Sequence, residues 1–286
     1  MEVTMPAGEY PLVSVRIPAY NHARFIERCL ASVIEDDYPN KELIIIDDGS
    51  SDRTYEIIQT WAGKNHLKLP IRHYTQKNAG LCTTLNRLVD LCRGEYLVSL
   101  ASDDMLLPNG IARRVQYLQE HPDDMAVIGD CRVIDENDME LYASAMEGFF
   151  CVDKRLYQSK AGIKREVVGN WAIPGPALMV RKGIYKILGK YESRYLVEDW
   201  HFYLRMVERN LLGFVPELVS SYRLHGSNQA QTTHRIRCLW DQIRIAATRM
   251  RYFELRFQLQ LVKRILLCGA AIVKSLVIRA LPSHDK

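Results

Sequence analysis

Leu43-Ile44-Ile45-Ile46 sets four branched aliphatic residues in succession and stops at Asp47-Asp48-Gly49-Ser50. A strand that is apolar on both faces cannot lie on a surface. It belongs inside a parallel sheet with helices covering each side. The neighbouring sequence repeats the theme. Strands are expected at Leu12 to Ile17, Glu42 to Ile46, Ile71 to Tyr74, Tyr96 to Ala101 and Met125 to Gly129. Helical periodicity lies between them at Ala23 to Ile34, from a Ser51 or Asp52 cap through Trp61, at Leu81 to Cys92, and at Pro108 to Glu120. Gly94 supplies a stop after the third helix. Strand-helix alternation of this kind predicts an α/β fold, a Rossmann-like, mainly parallel sheet with helices on both faces.

Such sheets bind ligands at the carboxyl ends of their strands. Three polar clusters stand there: Pro18 to Asn21, Asp47 to Ser50, and Ser102 to Asp104. In the last, an apolar strand runs into two adjacent carboxylates. Like charges side by side are unfavourable unless something neutralises them. A divalent cation carrying a diphosphate would do so, since oxygen ligands suit Mg²⁺ or Mn²⁺. A solvated loop whose aspartate caps the helix after Pro108 explains the pair equally well when it is taken alone.

The second half is less regular. Gly169 to Pro176 reads as a loop, Ala177 to Val180 as a strand, Glu198 to Glu208 as a helix, and Val219 to Arg223 as an edge strand. With 286 residues, 48% hydrophobic and 25% charged, the chain can bury one large core or two small ones. Neither linker nor internal repeat interrupts it. The seven cysteines are scattered without metal-ligand spacing, which predicts reduced thiols and a cytoplasmic setting. The first residues lack the pattern of a signal peptide. The longest apolar run, Ile265 to Val273, is too short to span a bilayer.

The net charge of +4 hides an asymmetry. From Arg235 onward eleven Lys and Arg face three Asp and Glu. This stretch reads as a C-terminal helical extension. Lys263, Arg264, Lys274, Ser275 and Arg279 fall on one arc, and Ile265, Leu266, Ile272, Val273, Leu276 and Val277 on the other, with Leu267 and Ile278 intruding on the polar side. Such a helix either packs its apolar face on the body or lies at the interface of an anionic inner leaflet. No nucleic-acid recognition motif accompanies the charge, so nucleic acid is not an expected partner.

Seven segments, in order, resemble the inverting glycosyltransferases of family 2, which have the GT-A fold. They are Val13 to Asn21, Ile45 to Asp52, Asn78 to Leu81, Gly94 to Tyr96, Ser102 to Asp104, Glu198 to Trp200, and Tyr222 to His225. They cover roughly residues 12–226. The resemblance implies a glycosyltransferase domain over 1–232, with a nucleotide-sugar half at about 10–130 and an acceptor half at about 131–232, followed by the tail at 233–286. It implies that Tyr20 stacks on a uracil beside Pro18, and that Asp48 accepts a hydrogen bond from the base while Asp47 holds the turn. Asp103 and Asp104 match the metal motif, with Asp104 as direct ligand and Asp103 on the ribose or the metal. Many relatives carry a further Asp where this chain has Ala101. His225 matches a late contact to metal or diphosphate, and a neutral imidazole suits Mn²⁺ better than Mg²⁺. Asp199 matches the general base, with Glu198 and Trp171 on the acceptor side and Trp200 in the core. Arg223 either aids the diphosphate or makes a surface ion pair.

The activity so implied is metal-dependent transfer of a sugar from a nucleotide diphosphate sugar, UDP-linked by expectation, to an acceptor hydroxyl. The family and the basic tail together suggest a lipid-linked glycan of bacterial surface polysaccharide, O-antigen or capsule, and a peripheral place at the inner membrane face. Two rival readings differ in what they require. A nucleotidyltransferase needs a Gly-rich, basic phosphate loop after the first strand, and Pro18-Ala19-Tyr20-Asn21-His22 is not one. A catalytically silent, membrane-tethered nucleotide-sugar-binding protein would keep the site and lose nothing when Asp199 is changed.

Overall fold

The computed structural model describes residues 10–226 and 235–280, the last four as backbone only. The expected boundary at 232–233, the N-terminal residues read for a leader, and the side chains of Val277, Ile278 and Arg279 lie outside the described residues.

Four strands open the chain: β1 (Val13–Ala19), β2 (Lys41–Asp47), β3 (Ile71–Thr75) and β4 (Tyr96–Ser99). Helices α1 (Ile26–Glu35), α2 (Thr54–Asn65) and α3 (Leu81–Leu91) join them. β1 pairs in parallel with both β2 and β4, and β3 adds to β2. The four lie in the order β3-β2-β1-β4, so the chain reverses its direction of winding between β1 and β4. A crevice opens outside the strand ends at such a switch point. The aliphatic run of β2 alternates between two cores. Leu43 and Ile45 join Val13, Val15 and Ile17 on one side of the sheet, and Ile44 and Ile46 join Leu85, Leu88 and Leu97 on the other.

The rest completes a nine-stranded sheet in a different manner. β5 (Met105–Leu106), α4 (Gly110–Glu120), β6 (Ala126–Ile134) and β7 (Glu140–Tyr142) follow. Then come α5 (Lys160–Gly169), β8 (Leu178–Arg181), α6 (Ile184–Leu188), α7 (Glu198–Glu208) and β9 (Leu212–Arg223). β8 is antiparallel to β4 and to β6, so the sheet is parallel in its first half and mixed beyond. The strand expected at an edge is interior. β9 runs parallel to β6 and carries only the two-residue β5 on its outer side, with Ser220 and Ser221 fully buried. Their hydroxyls bond within the sheet: Ser220 donates to Pro176 O at 2.8 Å, and Ser221 accepts from Arg132 Nε at 2.8 Å. Polar side chains so satisfied look like an exposed strand in sequence. The basic extension forms α8 (Arg235–Arg249) and α9 (Leu255–Ala280), packed on each other and on α5.

Arg16 is fully buried in β1. Its guanidinium donates to Ser99 Oγ at 2.7 Å, Tyr185 OH at 2.8 Å and Tyr191 OH at 2.9 Å, tying β1 to β4 and to the segment around α6. Arg16→Met leaves three buried hydroxyls short of a donor, and the expected cost is about 3 kcal/mol. A denaturant melt that moves by less than a third of that would contradict the role.

Candidate active site

The three strand-end clusters meet around the crevice. A cleft of about 630 Å³ is lined by Pro18, Tyr20, His22, Asp48, Asn78 and Asp103, among others. Tyr20 is 45% exposed at its rim, an apolar ring held out for a planar partner. Asp47 and Asp48 divide their work. Asp47 turns back on its own loop, accepting from Ser50 N–H at 3.1 Å and Thr75 Oγ1 at 3.2 Å. Asp48 reaches across the cleft wall and accepts from Gln76 Nε2 at 2.6 Å and from the N–H groups of Ala79 and Gly80 at 2.9 Å each. A carboxylate has about four acceptor positions, so one of Asp48 remains for a ligand donor. Gly49 makes the turn possible: its φ is +73°, and an added Cβ would sit 2.7 Å from Asn78 N.

At the end of β4 the two aspartates face opposite ways. Oδ2 of Asp103 accepts from His225 Nε2 at 2.9 Å, and its Oδ1 lies 3.9 Å from His22 Nδ1. Burial alone would raise the Asp103 carboxyl, yet the His225 hydrogen bond and the charge of His22 hold it below the ordinary range. Asp104 turns inward, where its Oδ1 accepts the Arg223 N–H at 2.8 Å. Burial and the neighbouring Asp103 push its carboxyl well above the ordinary range. The sequence expectation names Asp104 as the direct metal ligand; in the structure its Oδ1 is engaged by β9, and among the described residues the side chains placed to share a cation are His22, Asp103 and His225. Their ligand atoms lie within 4.8 Å of one another. Donors that share one ion at about 2.1 Å stand about 3 to 4 Å apart, so small side-chain rotations would bring the three onto one ion. Two imidazoles and a carboxylate suit Mn²⁺ better than Mg²⁺. Burial also lowers the His22 pKa, which keeps its lone pair available.

His22 was missed in the sequence, although it directly follows the strand-end residues Pro18 to Asn21. Arg223 is neither a surface ion pair nor exposed to the cleft. It is 1% exposed, its Nε donates to Asp103 O at 2.7 Å, and it pairs with Asp138 Oδ1 at 2.6 Å. It braces the loop that carries the aspartates.

A second cleft of about 180 Å³ is lined by Ile173, Pro174, Gly175, Glu198, Asp199 and Tyr203, among others. It shares Pro18, Leu81 and Ala101 with the first, so the two are continuous. Asp199 starts α7 and accepts its neighbour's N–H, from Trp200, at 2.7 Å. Burial lifts its pKa to about 6. Glu198 is driven well above the ordinary range by burial and by the charge of Asp199. The environment thus raises both adjacent carboxyls, Asp199 to about 6 and Glu198 further above its ordinary range. Trp200 is fully buried and donates from Nε1 to Val167 O at 2.9 Å. Trp171, expected on the acceptor side, lies against Trp200 with centroids 5.9 Å apart and ring planes tilted by 34°, and Ile173, Pro174 and Gly175 after it line the cleft.

The chain matches the family model "Glycosyl transferase family 2" over residues 14–187. It belongs to that family. It is 28% identical over 226 residues to an uncharacterized glycosyltransferase of Rickettsia typhi, an alignment that covers 78% of this chain and 66% of that relative. Among solved structures it is similar to Staphylococcus aureus TarS 1–349 in complex with UDP-GlcNAc, with a TM-score of 0.69 and 18% identity. That match covers 91% of this chain and 72% of TarS 1–349. It is also similar to the mannosyltransferase PcManGT from Pyrobaculum calidifontis in complex with GDP-Man and Mn²⁺. There the TM-score is 0.69 at 20% identity, over 96% of this chain and 77% of the other. The fold is therefore the GT-A fold that the sequence resemblance implies.

Proposed function

We propose that the chain moves a sugar from a nucleotide diphosphate sugar, UDP-linked, to an acceptor hydroxyl with inversion at the anomeric carbon. The observation that carries this reading is the continuity of the two clefts. It sets the Asp48–Asp103 wall and the Glu198–Asp199 pair along one channel joined at Pro18, Leu81 and Ala101. In the larger cleft Tyr20 stacks on the base, and the remaining acceptor position of Asp48 takes its N–H. In the smaller one Asp199 removes the proton of the attacking hydroxyl, and Glu198 beside it orients the acceptor. A side chain with a pKa near the working pH is best suited to such a transfer. Ile173, Pro174 and Gly175 narrow the cleft and exclude water from the base. A divalent cation held by His22, Asp103 and His225 would offset the charge of the diphosphate. The acceptor we infer is a lipid-linked glycan, in keeping with the family resemblance.

A screen of nucleotide sugars by thermal shift tests the donor side. A UDP-sugar with Mn²⁺ raises the melting temperature more than either alone, and the stabilisation grows with ligand concentration. Equal response to an unrelated nucleotide such as AMP would count against the assignment.

A further inference from the structure

α9 does two things at once. Its inner face packs on the body through Phe257, Leu261, Cys268 and Ile272, all at most 5% exposed. Arg264, expected on the polar arc, belongs to this inner side. It lies 5.0 Å over the Trp200 ring and donates to Gly169 O and Gln242 Oε1. The outer face is apolar too. Leu255, Leu259, Val262, Leu266, Val273 and Leu276 recur at helical spacing along one stripe, and four of them are more than 60% exposed. Arg256, Lys263 and Lys274 are exposed and fall along one edge of that stripe. On the same edge a cavity of about 450 Å³ opens between α5, α8 and α9, with Arg165, Lys263, Arg264 and Gln260 in its wall. Glu166 also lines it, but its carboxylate accepts from Asn170 Nδ2 and lies 3.7 Å from Arg165 Nε.

We propose that this face of α9 docks on an anionic phospholipid bilayer, with a lipid phosphate at the cavity beside Lys263 and Arg165. An apolar stripe with a basic border is the pattern of a helix lying in the membrane interface. No described helix is long and apolar enough to cross a membrane. A second copy of the chain is a poor occupant. No Asp or Glu occurs between Leu255 and Ala280, so paired α9 helices would set Arg256, Lys263 and Lys274 against one another in either direction. A bilayer rich in phosphate supplies the missing charge, at about 1 kcal/mol per basic residue near the surface. Arg165 and Lys263, both exposed in the cavity wall, offer a lipid phosphate two cations. The inference stands on α9 and its cavity, and holds whether or not sugar is transferred.

Vesicle flotation of the full chain tests it. The chain floats with vesicles in which phosphatidylglycerol makes up about a third of the lipid, and stays behind with phosphatidylcholine alone. Leu259→Ser with Leu266→Ser lowers the bound fraction about tenfold or more. Lys263→Gln with Lys274→Gln removes the preference for phosphatidylglycerol, and Arg165→Gln weakens it severalfold. These positions are exposed or line an open cavity, so melting temperatures stay within about 3 °C of the parent. Equal binding to both vesicles would overturn the proposal. So would binding unaffected by the leucine changes, or a dimer in solution that those changes dissolve while vesicles are ignored. Unaltered binding by Arg165→Gln would remove the cavity from it.

Discussion

Asp199→Asn lowers the rate of sugar transfer by about a thousandfold and leaves nucleotide affinity within about twofold. The asparagine still accepts the Trp200 N–H through its amide oxygen, so α7 keeps its start, but it can no longer take a proton. The parent enzyme should show the same group in its pH profile. Burial lifts Asp199 to about 6, and the base works only when ionised. The rate therefore falls about tenfold per pH unit below 6 and reaches a plateau above it. Asp199→Asn loses that acid limb. A variant that keeps the limb, or that turns over at the parental rate, would assign the base elsewhere, whereas a parent without transfer from any nucleotide sugar would restore the reading of a silent binding protein. Rate and affinity must be measured together, because a folding defect would lower both.

Asp103→Asn abolishes the Mn²⁺-dependent rise in melting temperature and weakens Mn²⁺ binding by about a hundredfold, whereas Asp104→Asn changes Mn²⁺ affinity by about threefold or less. The two adjacent carboxyls are thereby separated by experiment. Asp103 faces the two imidazoles, while Asp104 is committed to the Arg223 N–H. Asparagine at 104 can still accept that hydrogen bond. His22→Ala and His225→Ala each weaken Mn²⁺ binding about tenfold. Titration by calorimetry in the absence of donor measures all four variants. The opposite ranking of Asp103 and Asp104 would reverse the assignment made from the geometry.

Much of the first half was legible because a parallel sheet writes its pattern locally. The runs at β1, β2 and β4 announce burial on both faces, and their ends announce the crevice. The strand-end placement of Asp48 and Asp103 was legible for the same reason. What was not legible depends on distant partners. Arg16 is buried because Ser99, Tyr185 and Tyr191 come to it, and Arg223 because the backbone of Asp103 does. A charged residue carries no local mark of such company. Ser220 and Ser221 imitate an edge strand since their hydroxyl partners lie on other elements. Asp104 was preferred over Asp103 because order along a chain does not say which of two adjacent carboxyls faces inward. On α9, Arg264 counted as polar in a helical projection, yet stacking on Trp200 lets a guanidinium sit inside.

β9 brings Arg223 and His225 to a loop that was synthesised some 120 residues earlier. Closing so long a loop is slow compared with forming the adjacent β1–β2 pair. A cation held by His22, Asp103 and His225 would then be bound last, after the sheet that supports them. During refolding, Mn²⁺ capture would report completion of the topology rather than its beginning.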